Sequence, residues 1–325
     1  MPLTPKENYL RMLSMELPEF VPAGFFFPHS TGFREELLTP VSAPDGPIVT
    51  TLGVEYTGSE DNMWGAMPTP GKIVIDDITK WRDKLKIKDL SDWDWESYYT
   101  ELTKDLDREN LCVSVGGGDY FLTLVSLMGF DGALASLYEE PEEVKALLTH
   151  ISEFYTMILK KQMYYVKPDL LGIMDDDAGW NAPFFSLDHY REFFKPFHKL
   201  HADIALDAGC KITRHDCGRS EQYVDDWLEI GIVAWNPFQV SNDCKAIKQK
   251  YVGRLALEGG WDTRPVYETD EALIEAMKDY VDTFAPGGGF TFSVFSFARP
   301  GDEEAAHRAE VIKNFYFDYV KDYYV

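Results

Sequence analysis

The segment KITRHDCGRSEQYVDDWLEIGIVAWNPF (residues 211–238) predicts a strand, a helix and a second strand in succession. KITRHDC (211–217) is a short run that ends in polar residues, and IVAWNPF (232–238) is an apolar run. Between them, SEQYVDDWLEIG (220–231) carries apolar residues at helical spacing and ends in glycine. Strands joined by a helix through short connections pair in parallel, so the segment indicates an α/β fold.

The same alternation of strands and helices extends in both directions from this segment. Further strands are predicted at AGFFFPHS (23–30), LCVSVGG (111–117), LLGIMDD (170–176), RLALEGG (254–260) and GFTFSVFSF (289–297). About seven or eight such units predict one (β/α)8 TIM-barrel domain over residues 1–325, in which 1–110 carries an irregular N-terminal elaboration. A doubly wound open sheet is the alternative, but neither G-x-G-x-x-G nor a P-loop follows a predicted strand.

The composition excludes several classes of function. The 325 residues include 55 acidic and 31 basic side chains, for a formal net charge of −24, which argues against binding to nucleic acid or to anionic lipid. No apolar run approaches the roughly 20 residues of a membrane span, and the first residues do not resemble a signal peptide. The four scattered cysteines form no disulfide framework. We therefore expect a cytoplasmic protein with reduced thiols.

Polar side chains follow several predicted strands, where the active site of a barrel lies. His215 and Cys217 are two residues apart at the end of one strand, so their side chains face the same side. Imidazole and thiolate are preferred ligands of zinc, and this pair therefore suggests a metal site. The alternative is a buried cysteine beside a histidine that hydrogen-bonds a strand-end carboxylate.

Carboxylates and an amide at neighbouring strand ends are candidates for catalysis. Asp175, Asp176 and Asp177 follow one strand, and they can act in acid–base chemistry, support a metal ligand, or cap a helix. Asn236 lies at the end of the strand after His215. We select Asp175, Asp177 and Asn236 as candidate catalytic residues.

Five stretches resemble the uroporphyrinogen decarboxylase superfamily, and in particular its branch of corrinoid-dependent methyltransferases. They are TPKENYLRML (4–13), DDDAGWNAPFFSLDHYREFFKPFHKLH (175–201), RHDCG (214–218), IVAWNPFQ (232–239) and RLALEGGWDTR (254–264). The resemblance implies a (β/α)8 barrel, in agreement with the pattern of strands and helices. It is strong from about residue 110 to residue 310 and loose before that.

The chain departs from the decarboxylase pattern near its first predicted strand. The decarboxylase carries an arginine-rich stretch there, which grips the carboxylates of the porphyrinogen. This sequence reads GFFFPHSTGFREE (24–36), so that only Arg34 is nearby. With a net charge of −24, the chain is also poorly suited to an octacarboxylate, and porphyrinogen decarboxylation is disfavoured.

The methyltransferase branch holds zinc with H-x-C and with a further cysteine near the end of the last strand. His215 and Cys217 match the first part, but GGGFTFSVFSFARP (287–300) has no cysteine and has Ser293 near the expected place. The resemblance then implies a carboxylate as the third ligand, with Glu258 first and Asp175 or Asp177 next. Exchanging a thiolate for a carboxylate leaves a harder zinc ion that suits an oxygen ligand.

The resemblance therefore implies a zinc-dependent methyltransferase, or O-demethylase. It would move a methyl group from a methoxylated aromatic substrate to the cob(I)alamin of a separate corrinoid protein, and we assign no cofactor-binding residue in this chain. Pocket candidates are Phe25, Phe26, Phe27, Trp180, Phe184, Phe185, Trp235 and Phe238. The alternatives are methyl transfer from methylcobalamin to a thiol or folate-type acceptor, a metal-free decarboxylase, and a non-enzymatic binding protein.

Overall fold

A computed structural model describes residues 3–26, 28–33, 40, 42–60, 65–296 and 301–325. Its central element is a sheet of seven strands in the order β1-β5-β6-β7-β8-β9-β10, in which neighbouring strands pair in parallel. The strands are β1 Ser30–Phe33, β5 Cys112–Gly117, β6 Leu170–Met174, β7 Lys211–His215, β8 Ile232–Phe238, β9 Ala256–Gly259 and β10 Phe290–Thr291. This curled parallel sheet confirms the predicted α/β, TIM-barrel-like fold.

Helices precede, connect and follow the strands of the sheet. They are α1 Pro5–Leu13, α2 Trp81–Lys84, α3 Trp95–Thr103, α4 Tyr120–Met128, α5 Phe130–Glu139, α6 Pro141–Lys161, α7 Leu187–His189, α8 Lys195–Asp207, α9 Val224–Glu229, α10 Cys244–Tyr251, α11 Asp270–Phe284 and α12 Glu303–Phe315. The longest, α6, begins with proline and two glutamates and ends with two lysines, which complements the helix dipole. Its buried side chains recur every three or four residues, so one face of the helix packs into the core.

Two predicted strand boundaries differ from the structure. The first strand begins at Ser30 rather than at residue 23, because residues 24–26 form a turn and Pro28 lacks an N–H for strand pairing. The described sheet has seven strands, which agrees with the seven or eight units predicted. The predicted strand 289–297 is reduced to β10, which pairs with only two residues of the short strand β9; residue 297 lies outside the described residues.

The helical region that follows β6 is not one continuous α-helix. A π-helical turn over Tyr190–Phe194 separates α7 from α8. Pro196 is the second residue of α8 and follows this turn; since it has no N–H to donate to the preceding helical turn, it is the residue at which the regular hydrogen-bond pattern breaks.

The region between β1 and β5 contains a second, smaller sheet. Strands β2 Ile48–Val49, β3 Glu55–Thr57 and β4 Met67–Pro68 pair antiparallel in that order. Short helices follow, and the aromatic rings of Trp81, Trp95 and Tyr99 are buried in the main hydrophobic core. The tryptophans of this segment therefore anchor it to the barrel.

The N-terminal helix α1 covers the amino ends of the barrel strands. Thr4 caps it through a reciprocal capping box with Glu7. Its buried residues Tyr9, Met12 and Leu13 belong to a separate core cluster. The other members of this cluster lie near the start of four strands: Cys112, Leu170, Ala234 and Ala256. The ring of Tyr9 lies 3.9 Å from the ring of His29, centroid to centroid, so this helix also contacts the barrel interior.

Among the described helices, none is by itself long and apolar enough to cross a membrane. Within the described part of the chain, α4 and α5 together are long and apolar enough, but they are bent by 108° at their junction.

His201 of α8 provides a test of how burial shapes acid stability. Its Nε2 lies 2.9 Å from the Tyr120 hydroxyl, and burial, followed by the neighbouring His198, lowers the pKa of His201 to about 3. In the unfolded chain the imidazole titrates near 6.5. The stability that this neutral side chain contributes is therefore fully present above about pH 6.5 and is lost as the pH falls towards about 3.

We expect His201→Gln to reduce the slope of unfolding free energy against pH by about 1 kcal/mol per pH unit between pH 5 and 6. Urea unfolding at several pH values measures this slope. His307→Gln is the control, because the His307 side chain is 62% exposed. Equal slopes for wild type and His201→Gln would contradict the expectation.

Candidate metal centre

Two neighbouring loops bring three possible metal ligands together. Met174 at the end of β6 pairs in register with His215 at the end of β7. Asp176 follows β6, and Cys217 follows β7. One ligand atom from each of Asp176, His215 and Cys217 lies within 4.8 Å of the others. The structure thus brings the predicted pair His215 and Cys217 together with an aspartate that the sequence analysis did not select.

Two separations within this group are slightly longer than those of a tetrahedral zinc site. His215 Nε2 lies 3.8 Å from Cys217 Sγ and 3.8 Å from Asp176 Oδ1. Zinc–ligand bonds of about 2.0–2.3 Å at tetrahedral angles require donor atoms about 3.3–3.7 Å apart. The side chains of His215 and Asp176 are 35% and 32% exposed, which leaves one side of the group open. Three protein ligands with an open fourth position are typical of catalytic zinc sites.

The loop backbone holds the carboxylate and thiol in place. The N–H of Cys217 donates to Asp176 Oδ1 over 2.7 Å. Burial, and after it the carboxylates of Asp176 and Asp216, raise the pKa of the Cys217 thiol to about 12. A cation bound here would therefore have to displace the thiol proton, as is general for thiolate ligands.

Glu258, our first choice for the third ligand, lies outside this group. Its carboxylate accepts a hydrogen bond from Asn236 Nδ2 at 3.1 Å and another from the Tyr9 hydroxyl. Asn236 in turn has Oδ1 2.9 Å from His215 Nδ1, on the side of the ring away from Nε2. Desolvation raises the pKa of Glu258, and the hydrogen bonds from Tyr9 and Asn236 oppose that shift. Glu258 is thus two hydrogen bonds removed from His215.

Asp175 is engaged at the end of a neighbouring helix. Its two carboxylate oxygens accept hydrogen bonds of 2.8 Å from the backbone N–H groups of Phe121 and Leu122 in the first turn of α4, and it lies 3.3 Å from His198 Nε2. One of the three consecutive aspartates thus has the capping role considered from the sequence, although it caps a different helix from the one that follows it.

Asp177, the other selected aspartate, belongs to a buried ionic cluster. Asp177 and Asp216 both pair with the guanidinium Nη2 of Arg214, at 2.6 Å for Asp216. All three side chains are fully buried, and the guanidinium lies 5.2 Å from the ring of Trp227. Burial raises the pKa of Asp177, against the opposing effect of Arg214, and raises that of Asp216 to about 6. This cluster is adjacent in sequence to the metal group (Asp176, His215 and Cys217), because Arg214 and Asp216 flank His215 and Asp177 follows Asp176.

A cavity of about 470 Å³ is lined in part by Asn236, the residue whose Oδ1 lies 2.9 Å from His215 Nδ1. Asp176, His215 and Cys217 themselves lie outside the described lining of this cavity. Six aromatic side chains form its walls: Phe25, Trp180, Phe238, Trp261, Phe292 and Phe295. Its polar lining includes His29, Asn236, Glu258, Thr291 and Ser293. His29 precedes β1 instead of ending a strand, and burial lowers its pKa to about 4, so that its ring is neutral near pH 7.

The predicted aromatic pocket was partly right. Phe25, Trp180 and Phe238 line the cavity, whereas four others pack in the core, namely Phe26, Phe184, Phe185 and Trp235. Phe27 lies outside the described residues. Trp261, Phe292 and Phe295 were missed; the signal for them was their position directly after the strands that carry Glu258 and Thr291.

The sequence matches the family model for uroporphyrinogen decarboxylase (URO-D) over residues 62–294. The chain belongs to the uroporphyrinogen decarboxylase family. Among solved structures, a methyltransferase from Methanosarcina mazei is similar in fold over 97% of this chain and 99% of its own, with a TM-score of 0.58 and 15% identity. No curated protein sequence gives a significant match.

A second solved structure, D-psicose 3-epimerase from Clostridium cellulolyticum H10, aligns over 68% of this chain and 80% of its own. Its TM-score of 0.38 and identity of 13% are too low to support an argument.

Two sequence departures of this uroporphyrinogen decarboxylase family member concern the site. Ser293, near the place where the methyltransferase branch has its further cysteine, lines the cavity with its hydroxyl 3.1 Å from that of Thr291. The decarboxylase has an arginine-rich stretch near its first strand, and in this chain Arg34 is the arginine nearest to that place. Arg34 lies outside the described residues. Within the described part of the cavity wall, no arginine or lysine is present.

Gly218 fixes the loop that carries Cys217 in this family member. Its φ is +85°, and a Cβ there would lie 2.5 Å from the Ala178 carbonyl oxygen and 2.6 Å from that of Gly179. Gln239 Oε1 accepts from the Gly218 N–H at 2.7 Å, and Asn242 Nδ2 donates to its carbonyl at 2.8 Å. Only glycine fits this contact between the two ligand-bearing loops.

Gly218→Ala is therefore expected to lower the free energy of unfolding by about 2–3 kcal/mol, since it adds a backbone clash to an unfavourable conformation. Chemical denaturation measures the loss. Gly253→Ala is the matched control, because Gly253 also has a positive φ, +71°, but its Cβ would meet no atom within 4 Å. Equal losses in the two variants would show that the close contact has no role.

Proposed function

We propose that this chain is a zinc-dependent methyltransferase that takes a methyl group from a methoxylated aromatic substrate and passes it to the cob(I)alamin of a separate corrinoid protein. One observation carries the proposal: Asp176, His215 and Cys217 form an open group, and His215 is hydrogen-bonded to Asn236, which lines an aromatic-walled cavity at the carboxyl ends of the strands. Family membership and the fold shared with a methyltransferase support the same class of reaction.

In this proposal, one set of residues binds the metal and another set binds the substrate. Asp176, His215 and Cys217 would hold zinc, which supplies Lewis acidity towards an ether oxygen and so improves the leaving group. The aromatic walls would bind the substrate ring and exclude water from the reacting bond. Trp180 and Phe25 are 45% and 59% exposed, which suggests that they form the entrance to the cavity.

The kind of ligand favours the methyl-donor side of the corrinoid reaction. A thiolate, an imidazole and a carboxylate give zinc less electron density than two thiolates and an imidazole. The harder ion suits an ether oxygen better than a thiol acceptor. This argument favours demethylation of a methoxylated compound over the alternative, methyl transfer from methylcobalamin to a thiol.

The test combines metal analysis with a single-turnover assay. Protein purified without chelator is analysed for zinc, and is then mixed with methoxybenzene and free cob(I)alamin prepared by chemical reduction. We expect one zinc ion per chain and the joint formation of phenol and methylcobalamin in equal amounts. Absence of zinc would overturn the metal role. Turnover of methylcobalamin with a thiol, without phenol formation from methoxybenzene, would favour the alternative.

A further inference from the structure

We propose that Tyr9 and Glu258 are positioning residues that act through Asn236 to fix the tautomer and ring orientation of His215. The proposal rests on the metal role of His215 in the proposed function. It concerns a chain of hydrogen bonds that runs from α1, across β9 and β8, to the ligand on β7.

The first link in this series of hydrogen bonds is the Glu258 carboxylate, which accepts hydrogen bonds from two donors. The Tyr9 hydroxyl reaches Glu258 Oε1, and Asn236 Nδ2 lies 3.1 Å from Glu258 Oε2. An ionised carboxylate only accepts hydrogen bonds, and the amide group of asparagine donates only through its nitrogen. Glu258 therefore obliges Asn236 to present Nδ2 to it and Oδ1 to the opposite side.

The orientation of the amide decides which nitrogen of His215 carries the proton. Asn236 Oδ1 lies 2.9 Å from His215 Nδ1. Since an amide oxygen only accepts, the neutral imidazole must carry its proton on Nδ1 and its lone pair on Nε2. Nε2 is the nitrogen that lies 3.8 Å from both Cys217 Sγ and Asp176 Oδ1. The lone pair thus points to the place where a metal would bind.

Tyr9, the member of this hydrogen-bond series farthest from His215, is held in place by its packing. Tyr9 is 3% exposed, packs with the start of four strands, and has its ring 3.9 Å from the ring of His29. Glu258 and Asn236 are on neighbouring strands, so the three hydrogen bonds are set by the sheet and by α1. This arrangement lowers the entropic cost of ordering His215 when a ligand binds.

The first experiment detects the tautomer in protein from which metal has been removed. Long-range ¹H–¹⁵N correlation spectra of ¹⁵N-histidine-labelled protein, with His215 assigned by His215→Gln, report which ring nitrogen is protonated. We expect Nδ1–H in wild type and a mixture of tautomers in Glu258→Leu, where Asn236 is free to rotate. Glu258→Gln retains an oxygen that accepts from Asn236, and we expect the wild-type tautomer.

The second experiment measures zinc affinity by competition with a chromophoric chelator. Loss of a group that orients a metal-bound histidine typically weakens metal binding by about 10–100-fold. We expect a loss of this size for Glu258→Leu, a smaller loss for Tyr9→Phe, and rescue in Glu258→Gln. Tyr319→Phe is the matched control, because its hydroxyl also bonds a carboxylate, Asp282 at 3.0 Å, on the far outside of the barrel.

The outcomes separate this proposal from the proposed function. Wild-type tautomer and zinc affinity in folded Glu258→Leu and Tyr9→Phe would overturn the positioning role. Absence of zinc binding in wild type would overturn the proposed function, whereas the tautomer spectra would still decide the role of Glu258. If Glu258→Leu fails to fold, the same decision is made on Tyr9→Phe, which removes one oxygen atom only.

Discussion

Cys217→Ala is expected to weaken zinc binding by about 10²–10³-fold and to abolish the formation of phenol and methylcobalamin in the single-turnover assay. Four-ligand zinc sites bind with apparent free energies of about 10–16 kcal/mol, or about 3–4 kcal/mol for each ligand. A loss of that size corresponds to the stated change in affinity, because 1.4 kcal/mol is about tenfold. His215→Ala is expected to cause a similar loss, and the double variant should retain no zinc through purification. Metal analysis and chelator competition measure both quantities.

Cys210 is a matched control at the opposite end of the same strand. It directly precedes β7, is 3% exposed, and has its thiol 3.2 Å from the Pro168 carbonyl oxygen. Cys210→Ala should cost some stability through the small cavity that it creates, but it should leave zinc affinity unchanged. Equal zinc content in the Cys210 and Cys217 variants would contradict the assignment of the metal group.

Arg214→Met is expected to lower the free energy of unfolding by about 3–5 kcal/mol, the largest stability effect that we predict. Its guanidinium is the group that compensates Asp177 and Asp216 inside the protein, and it also donates to the Asp175 carbonyl oxygen at 2.8 Å. Without it, two fully buried carboxylates would remain without a cation. Urea unfolding monitored by tryptophan fluorescence measures the loss.

Arg191 offers a matched control for this prediction. It forms a bidentate pair with Asp226, but its side chain is 51% exposed and Lys195 also pairs with Asp226 at 2.6 Å. Solvent screening and the second cation should limit the loss in Arg191→Met to about 1 kcal/mol or less. Comparable losses in the two variants would show that burial does not set the energetics of Arg214.

The sequence predicted the barrel because the signals for each strand and each helix of a parallel α/β unit lie within a short stretch of sequence. Apolar runs such as LLGIM and helices with Pro and Glu at their start carry their own signals. The boundary of β1 was wrong because Pro28 and a turn interrupt a run that is otherwise apolar. The length of β10 was wrong because strand length depends on the neighbouring strand, which is not adjacent in sequence.

The candidate site was predicted where it depends on spacing along one strand and missed where it depends on loop geometry. Alternation along β7 predicts that His215 and Cys217 face the same side, and the two do lie together, although Cys217 is two residues beyond the end of the strand. Applied to the aspartates, the same rule selects Asp175 and Asp177, yet the chain leaves the strand after Met174 and alternation ends there. Asp176 is brought to the metal group by its bond with the Cys217 N–H, which no sequence period encodes.

The position of α1 links two ends of the barrel that are usually regarded as independent. Conserved features at the amino ends of barrel strands are associated with stability, and those at the carboxyl ends with catalysis. Tyr9 belongs to the first group by its packing and reaches the second by its hydroxyl. In this arrangement, a substitution that only loosens α1, such as loss of the Thr4 cap, would also change the orientation of His215 at the carboxyl ends of the strands. Stability and activity would therefore not evolve independently at this helix.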